Sequence, residues 1–422
     1  MEFPDAAAPS ILRGSTMKTV MANRRWIKEN PDLDTGPVST ETCTSPELFE
    51  LERDRIFRRS WLNLGREEDL PEPGSYVVRD LAIANTSVLL VRGKDRTIRA
   101  FHNICVHRGN RLVDDEKGLC KGRFVCRFHS WAYDTAGQLT WVSDEANFYD
   151  IDKSALGLKP IAADLWEGFI FINLSPHPAE TLAEYMAGMV QQIHGYPFER
   201  QRLMCRYTVE EKANWKVILD AQNEVYHLPF LHITYPDFCP LNEQQFSRIQ
   251  NFARFGRHTV YSVECNPDHK MTPVESIAVN ANPRGGEIHP TMIGWFDFYS
   301  VFPNFCMLFL AGTYVTYNIW PIAADRSIWE VSIYQPATDK PSERFAQEYN
   351  RCRFRDLLQE DASNHEAIQT SLNSGALTHF QLQDEEIQIR HFHREVRRHI
   401  FGEENGASAI SGSRDAVELR LK

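Results

Sequence analysis

The chain has 422 residues, 42% apolar and 24% charged, which suits two or three domains and a large core. Its 46 Lys and Arg against 57 Asp and Glu give a formal charge of −11 with no basic stripe, which argues against nucleic acid as a partner. No run of about 18 apolar residues and no basic-then-apolar leader occurs, so neither a membrane span nor a secretory signal is expected.

Residues 1–44 carry little pattern and are expected to be partly mobile, with Met17 a second candidate start. Ser45-Pro46-Glu47-Leu48 opens a helix: Ser45 as N-cap, Pro46 in the first turn, Glu47 against the dipole. Leu48, Leu51, Ile56 and Phe57 predict its inward face as far as about Arg59. From Trp61 onward the runs 76–78, 87–91, 97–101 and 168–173 are bounded by Gly74, Gly93 and Lys94-Asp95. They predict strands of a small antiparallel β domain over 45–175.

Within that domain stand Cys105-Val106-His107-Arg108-Gly109 and Cys126-Arg127-Phe128-His129-Ser130-Trp131, with 18 residues between His107 and Cys126. Two thiolates and two imidazoles can divide a [2Fe–2S] cluster, both Cys on one iron and both His on the other. They also suit tetrahedral zinc. A zinc finger, however, pairs Cys with Cys and then His with His, the latter on a helix. The mixed pairs and the glycine-punctuated strands here favour the cluster. The nine cysteines, an odd number at scattered spacings, fit a reducing compartment better than a disulfide framework. A soluble, cytoplasmic protein is expected.

Residues 178–195 place Leu182, Met186, Met189 and Val190 at helical spacing, predicting a helix that joins the β domain to a second domain over 176–402. There, runs at 293–298, 307–310, 314–320 and 328–334 predict an antiparallel sheet, and 342–371 and 382–400 predict long helices. The fold class is therefore α+β: a small antiparallel β domain, then an antiparallel sheet flanked by helices. Residues 403–422, with a Gly/Ser-rich patch at 405–413, form a tail.

The second domain carries Glu224-Val225-Tyr226-His227-Leu228-Pro229-Phe230-Leu231-His232. His227 and His232 are five apart, one more than an ideal helical face needs, but Pro229 can widen the turn so that the imidazoles converge. Alone, such a pair could be two surface histidines beside a turn. A mononuclear iron site needs two His and one carboxylate on one face, and 356–366 offers Asp356, Glu360, Asp361 and Glu366. Any of these could instead form the solvated face of the helix. Aromatics including Phe238, Phe246, Phe252, Trp295, Phe298 and Phe309 read mostly as core, with a few able to line an apolar cavity or a cation cage. Arg254, Arg257 and Arg284 could clamp a carboxylate but read as surface residues.

Together the two motifs, the first extending through Ala132-Tyr133-Asp134, resemble the Rieske non-haem iron oxygenase large (alpha) subunits of the aromatic-ring-hydroxylating type, over about residues 45–400. The resemblance implies a Rieske [2Fe–2S] cluster on Cys105, His107, Cys126 and His129, and Fe(II) on His227, His232 and Asp361. Asp361 is singled out because Glu360, Asp361 and Glu366 match the family's Glu-Asp-x4-Glu helix. Glu224 takes the place of the carboxylate that bridges His129 of a neighbouring subunit to His227, passing electrons between them. A homotrimer follows, with or without small beta subunits, fed by a reductase and/or ferredoxin. NAD(P)H enters only through that reductase, since no Gly-x-Gly-x-x-Gly stretch binds it here.

The family departs at Asp220-Ala221, where an acidic residue followed by Asn is common, so an amide contact near the iron is expected to be missing. The implied activity is terminal oxygenation of an aromatic or hydrophobic ring compound. The alternatives are monooxygenation of a quaternary ammonium compound, to which Glu rather than Asp at 224 points, and a non-catalytic electron-transfer protein. A zinc-bound interaction module is the remaining rival.

Overall fold

The computed structural model describes residues 26–402 apart from 236, 238–246, 267, 283–291, 293 and 311. The readings made for Met17, Phe238, Phe246, Arg284, Ile293 and the 405–413 patch fall outside the described residues.

Ser45 caps the first predicted helix, its Oγ accepting from the Leu48 amide at 3.1 Å, with Pro46 at the first position. The helix keeps α pitch only over Pro46–Glu52, then widens to a π turn over Arg53–Phe57. Leu48, Ile56 and Phe57 are buried and Leu51 partly so, and Phe57 meets Trp215 edge-on at 5.2 Å. A buried ion pair reinforces that contact. Lys216 Nζ lies 2.6 Å from Glu52 Oε1, both side chains fully buried, and Trp215 Nε1 donates to Glu52 Oε2 at 2.8 Å. Losing either partner would leave a buried charge uncompensated, at a cost of about 3–5 kcal/mol.

The predicted β segments all appear. A seven-stranded antiparallel sheet runs in the order Trp61–Arg66, Phe169–Asn173, Pro160–Trp166, Ile98–His102, Thr86–Arg92, Ser75–Leu81, Lys117–Leu119. A small sheet of Phe124–Val125, Ala132–Tyr133 and Leu139–Trp141 sits beside it. The helix expected over 178–195 is instead two short ones, Leu182–Met186 and Met189–Ile193. Ala187, at φ 48°, turns the chain between them, and Met186 and Met189 both stay fully buried.

The second sheet also has seven antiparallel strands, ordered Gln201–Glu211, Arg326–Pro336, Thr313–Ala323, Phe305–Leu310, Phe296–Val301, His258–Val263, Asn251–Phe255. The strand expected at 293–298 is displaced to Phe296–Val301, because Gly294 folds back to donate to Asp297 Oδ1 at 2.9 Å. Helices Pro341–Asn373 and Ile387–Phe401 match the two long ones expected. Aromatics from both halves share one core, Trp61, Phe169 and Phe171 packing with Phe305, Phe309 and Tyr314. Of the aromatics singled out from the sequence that lie among the described residues, Phe252, Phe298 and Phe309 are buried and Trp295 partly so. Among the described residues, no helix is long and apolar enough to cross a membrane.

Candidate active site

The two Cys/His loops are near copies in backbone terms. The Gly109 amide donates to the Cys105 carbonyl at 3.0 Å, and the Ser130 amide to the Cys126 carbonyl at 2.8 Å. Cys105 N donates to Asn110 O and Cys126 N to Trp131 O, each at 2.8 Å. The fourth residue after each Cys is left-handed, Gly109 at φ 75° and Ser130 at φ 59°. Glycine adopts that conformation freely, whereas serine does so at a cost of about 1 kcal/mol.

Both thiols are buried at 1% exposure. His107 and His129 approach to 4.6 Å between ring centroids, and His107 stacks on Trp131 at 4.8 Å. Tyr133 Oη accepts from Val106 N at 3.2 Å, which leaves its own hydrogen for Cys105 Sγ at 3.3 Å. Asn110 Nδ2 donates to Cys126 Sγ at 3.7 Å. Each sulfur thus has a donor, as thiolates bound to a cluster require. Burial, then His129 and Arg108, lower the His107 pKa, which favours the neutral imidazole, the form that ligates.

The second cluster starts from the helix Trp215–Gln222, capped by Asn214, whose side chain accepts from Lys216 N at 3.0 Å. His227 and His232 then bracket a single turn, Leu228–Leu231, with Pro229 in its opening positions. That turn brings the two Nε2 atoms to 3.2 Å. Asp361, buried on the long Pro341–Asn373 helix, places Oδ1 3.1 Å from His232 Nε2 and 3.6 Å from His227 Nε2. One ligand atom from each of the three lies within 4.8 Å of the others.

The surrounding contacts test whether this group suits a cation. His227 Nδ1 is hydrogen-bonded to Glu224 Oε1, and His232 Nδ1 to Glu360 Oε2 at 2.8 Å. A carboxylate only accepts, so each Nδ1 carries the hydrogen and each Nε2 turns its lone pair inward. Asp361 Oδ2 accepts from Gln222 Nε2 at 2.9 Å, while Oδ1 is buried without a hydrogen bond of good geometry. Three acceptors therefore face one point. Burial disfavours charge on His227, yet Glu224 and Asp361 outweigh it and raise its pKa to about 9. Without a cation its Nε2 is therefore protonated, and a bound metal would displace that proton to use the lone pair. Burial pushes the Asp361 carboxyl up, but His232, His227 and Gln222 more than offset this and lower it. The chemistry matches the two-His, one-carboxylate iron site.

The competing acids have other partners: Asp356 accepts from Tyr235 Oη at 3.2 Å and Glu366 from Lys212 N at 3.1 Å. Arg254 pairs with Asp32 and Arg257 with Glu180, and neither lines the cavity beside the site. That cavity, of about 420 Å³, is walled by Val217, Ala221, Phe230, Leu231, Ile368 and Ile389, with Asp220, Glu224, Asp361 and Glu386 bringing carboxylates to it. At the Asp220-Ala221 departure, Asp220 Oδ2 faces His393 Nε2 at 2.8 Å, and the amide beside Asp361 comes from Gln222 instead. Sequence reasoning missed Gln222 and Glu386, and it left Glu360 as a rival ligand. The one available signal was that Glu360 adjoins Asp361.

Two buried thiols with two imidazoles at one tip, and a His-His-Asp cluster elsewhere in the same chain, give the protein two separate groups of donors suited to metal. The comparisons agree. Residues 60–154 match the Rieske [2Fe–2S] domain, and residues 198–402 match the ring hydroxylating alpha subunit catalytic domain. The chain belongs to the Rieske non-haem iron oxygenase large subunits, whose cofactors are a [2Fe–2S] cluster and a mononuclear iron.

It is 34% identical over 180 residues to the glycine betaine monooxygenase oxygenase subunit of Pseudomonas aeruginosa, covering 43% of this chain and 41% of that one. It is 32% identical over 196 residues to the carnitine monooxygenase oxygenase subunit of Escherichia coli, covering 46% and 51%. The matched stretches thus span about half or less of these relatives. A solved quaternary ammonium Rieske monooxygenase superposes with a TM-score of 0.72 at 22% identity, over 88% of this chain and 97% of that one. Naphthalene 1,2-dioxygenase from Rhodococcus does so with 0.68 at 20% identity, over 92% and 96%. These likenesses bear out the expected α+β fold.

Proposed function

We propose that the chain is the terminal oxygenase component of a multicomponent system, with Cys105, His107, Cys126 and His129 holding the cluster and His227, His232 and Asp361 the Fe(II). The convergence of those last three side chains on one point carries this reading. When bound, the two groups supply single-electron transfer and activation of O2.

The chain's own residues supply geometry. Glu224 fixes the His227 tautomer, Gln222 holds the far oxygen of Asp361, and the apolar walls restrict water. Glu224 also serves as the bridge to His129 of the partner subunit, which makes the working unit a homotrimer, with small beta subunits an optional addition. A separate reductase and/or ferredoxin delivers the electrons from NAD(P)H.

For the substrate, apolar walls combined with carboxylates suit an organic cation with an apolar body, such as a quaternary ammonium compound. Glu at position 224, and relatives that act on glycine betaine and carnitine, point the same way. The second reading is a hydrophobic ring, supported by the preponderance of apolar side chains in the walls. Another relative is the large oxygenase component of a Pseudomonas aeruginosa naphthalene 1,2-dioxygenase system, 35% identical over 195 residues, covering 44% of this chain and 42% of that one.

A panel of trimethylammonium compounds and neutral ring compounds, run with a surrogate reductase, tests both. O2 uptake coupled to one added oxygen or loss of an alkyl group on the amines supports the first reading, and ring hydroxylation or diol formation supports the second. No product from either set, with both iron centres loaded, contradicts the proposal.

A further inference from the structure

The helix Pro341–Asn373 does more than deliver Asp361. Arg353, Asp356 and Glu360 lie three and four residues apart, on one face of that helix, and each reaches the segment that carries His232. Arg353 Nη2 lies 2.6 Å from Asp237 Oδ2, and its guanidinium covers the Tyr235 ring at 5.1 Å. Tyr235 Oη donates to Asp356 Oδ2 at 3.2 Å, and His232 Nδ1 to Glu360 Oε2 at 2.8 Å. The contacts form a ladder along 232–237, and its last rung lies next to Asp361 in sequence. The His232 side chain is 4% exposed and that of Glu360 27%, so this hydrogen bond is largely shielded from competing water.

From this geometry we infer that Glu360 is a positioning residue for the second centre, holding His232 in the Nδ1–H tautomer with Nε2 turned toward Asp361. This rests on the reading of His227, His232 and Asp361 as a metal site. The centre thereby gains a symmetry that the ligand set alone does not show: each imidazole is oriented by its own carboxylate. Glu224 comes from the histidine segment itself, and Glu360 from the opposing helix. A carboxylate behind a ligating imidazole also makes its Nε2 a stronger donor. Because Glu360 and Asp361 are consecutive, any shift of the helix moves the third ligand and the orienter of the second together.

The test is metal affinity of the full chain with its cluster assembled, measured by competition between the protein and a chelator for Fe(II). Glu360→Ala is expected to bind roughly 10–100-fold more weakly. Glu360→Gln, which can still accept from Nδ1 but carries no charge, is expected to fall between it and the parent. Tyr235→Phe cuts the neighbouring rung without touching the imidazole and is expected to stay within a few-fold of the parent. An undiminished cluster absorption and an unchanged melting curve identify variants that have folded, and Glu360→Gln carries the test if the alanine variant has not.

Parental affinity in Glu360→Ala, or an equal loss in Tyr235→Phe, would overturn the inference, the latter by showing general anchoring of the segment. Asp361→Ala keeps the two questions apart. If it retains parental affinity, the metal-site reading itself fails. If it loses the metal while Glu360→Ala does not, only the role of Glu360 fails.

Discussion

At the Cys/His tip, the ligands stand in two short loops whose backbone hydrogen bonds repeat almost atom for atom. At the His-His-Asp cluster, a turn at 227–232 meets a helix that arrives more than a hundred residues later, and side chains rather than backbone do the aligning. The first arrangement is fixed locally, by Gly109 and Ser130 in left-handed turns and by Tyr133 and Asn110 behind the sulfurs. The second depends on the tertiary fold, on Asp361, Glu360 and Gln222 arriving together from separate elements. The locally wired tip is expected to tolerate changes elsewhere in the chain, and the tertiary-wired centre to respond to its surroundings.

Substitutions can break that contrast apart. The largest effect is expected from Asp361→Ala, which should abolish turnover and remove the mononuclear iron while leaving the visible cluster spectrum intact. Iron quantification alongside absorbance checks both. Cys126→Ser should do the reverse, losing the cluster's absorption and its reduced-state paramagnetic signal while Fe(II) still binds at the second centre.

Glu224→Gln should keep both metals yet lower turnover roughly 10–100-fold. Steady-state O2 uptake on fully loaded protein measures that loss, and full turnover would remove Glu224 from the electron path. Tyr133→Phe withdraws the hydrogen bond to Cys105 Sγ. It should shift the cluster's reduction potential downward, because less of the charge added on reduction is stabilised, as redox titration would show.

The smallest expected effect concerns the cavity. Burial, with Glu224 and Asp220 adding to it against a backbone hydrogen bond from Gln383, raises the Glu386 pKa from 4.5 to about 7. The folded chain therefore holds that proton more tightly than the unfolded one. Its contribution to stability is present in full below about pH 4.5, declines as pH rises toward about 7, and is level beyond. Glu386→Gln removes the dependence. The variant should match the parent near pH 4 and exceed it at pH 8 by roughly 1–3 kcal/mol, as urea unfolding at the two pH values would reveal.

The same contrast explains what could be read from the chain. Cys105, His107, Cys126 and His129 were legible because their chemistry lies in two short motifs and their geometry follows from local turns. His227 and His232 were half legible: the spacing was visible, but their convergence depends on a turn that Pro229 helps to set. Asp361 could be singled out only through family resemblance, since Asp356, Glu360 and Glu366 share its helix and its charge. Gln222 and Glu386 had no local signature at all, because what they touch is decided by packing between elements distant in sequence. In the fold, the strands that were named came through, but Trp61–Arg66, Lys117–Leu119, Pro160–Trp166, Gln201–Glu211, Asn251–Phe255 and His258–Val263 were not singled out from the chain. The break at Ala187 and the late start of the strand at Phe296 did not come through either, each being set by tertiary contacts that spacing does not encode.

The central claim is that one polypeptide holds two iron centres of different kinds. Iron and acid-labile sulfide, counted on anaerobically reconstituted protein, test it most directly. The account predicts about three irons and about two sulfides per chain, with Asp361→Ala losing one iron and no sulfide. Parent protein that stops at two irons, or an Asp361→Ala variant that keeps the third, would contradict it.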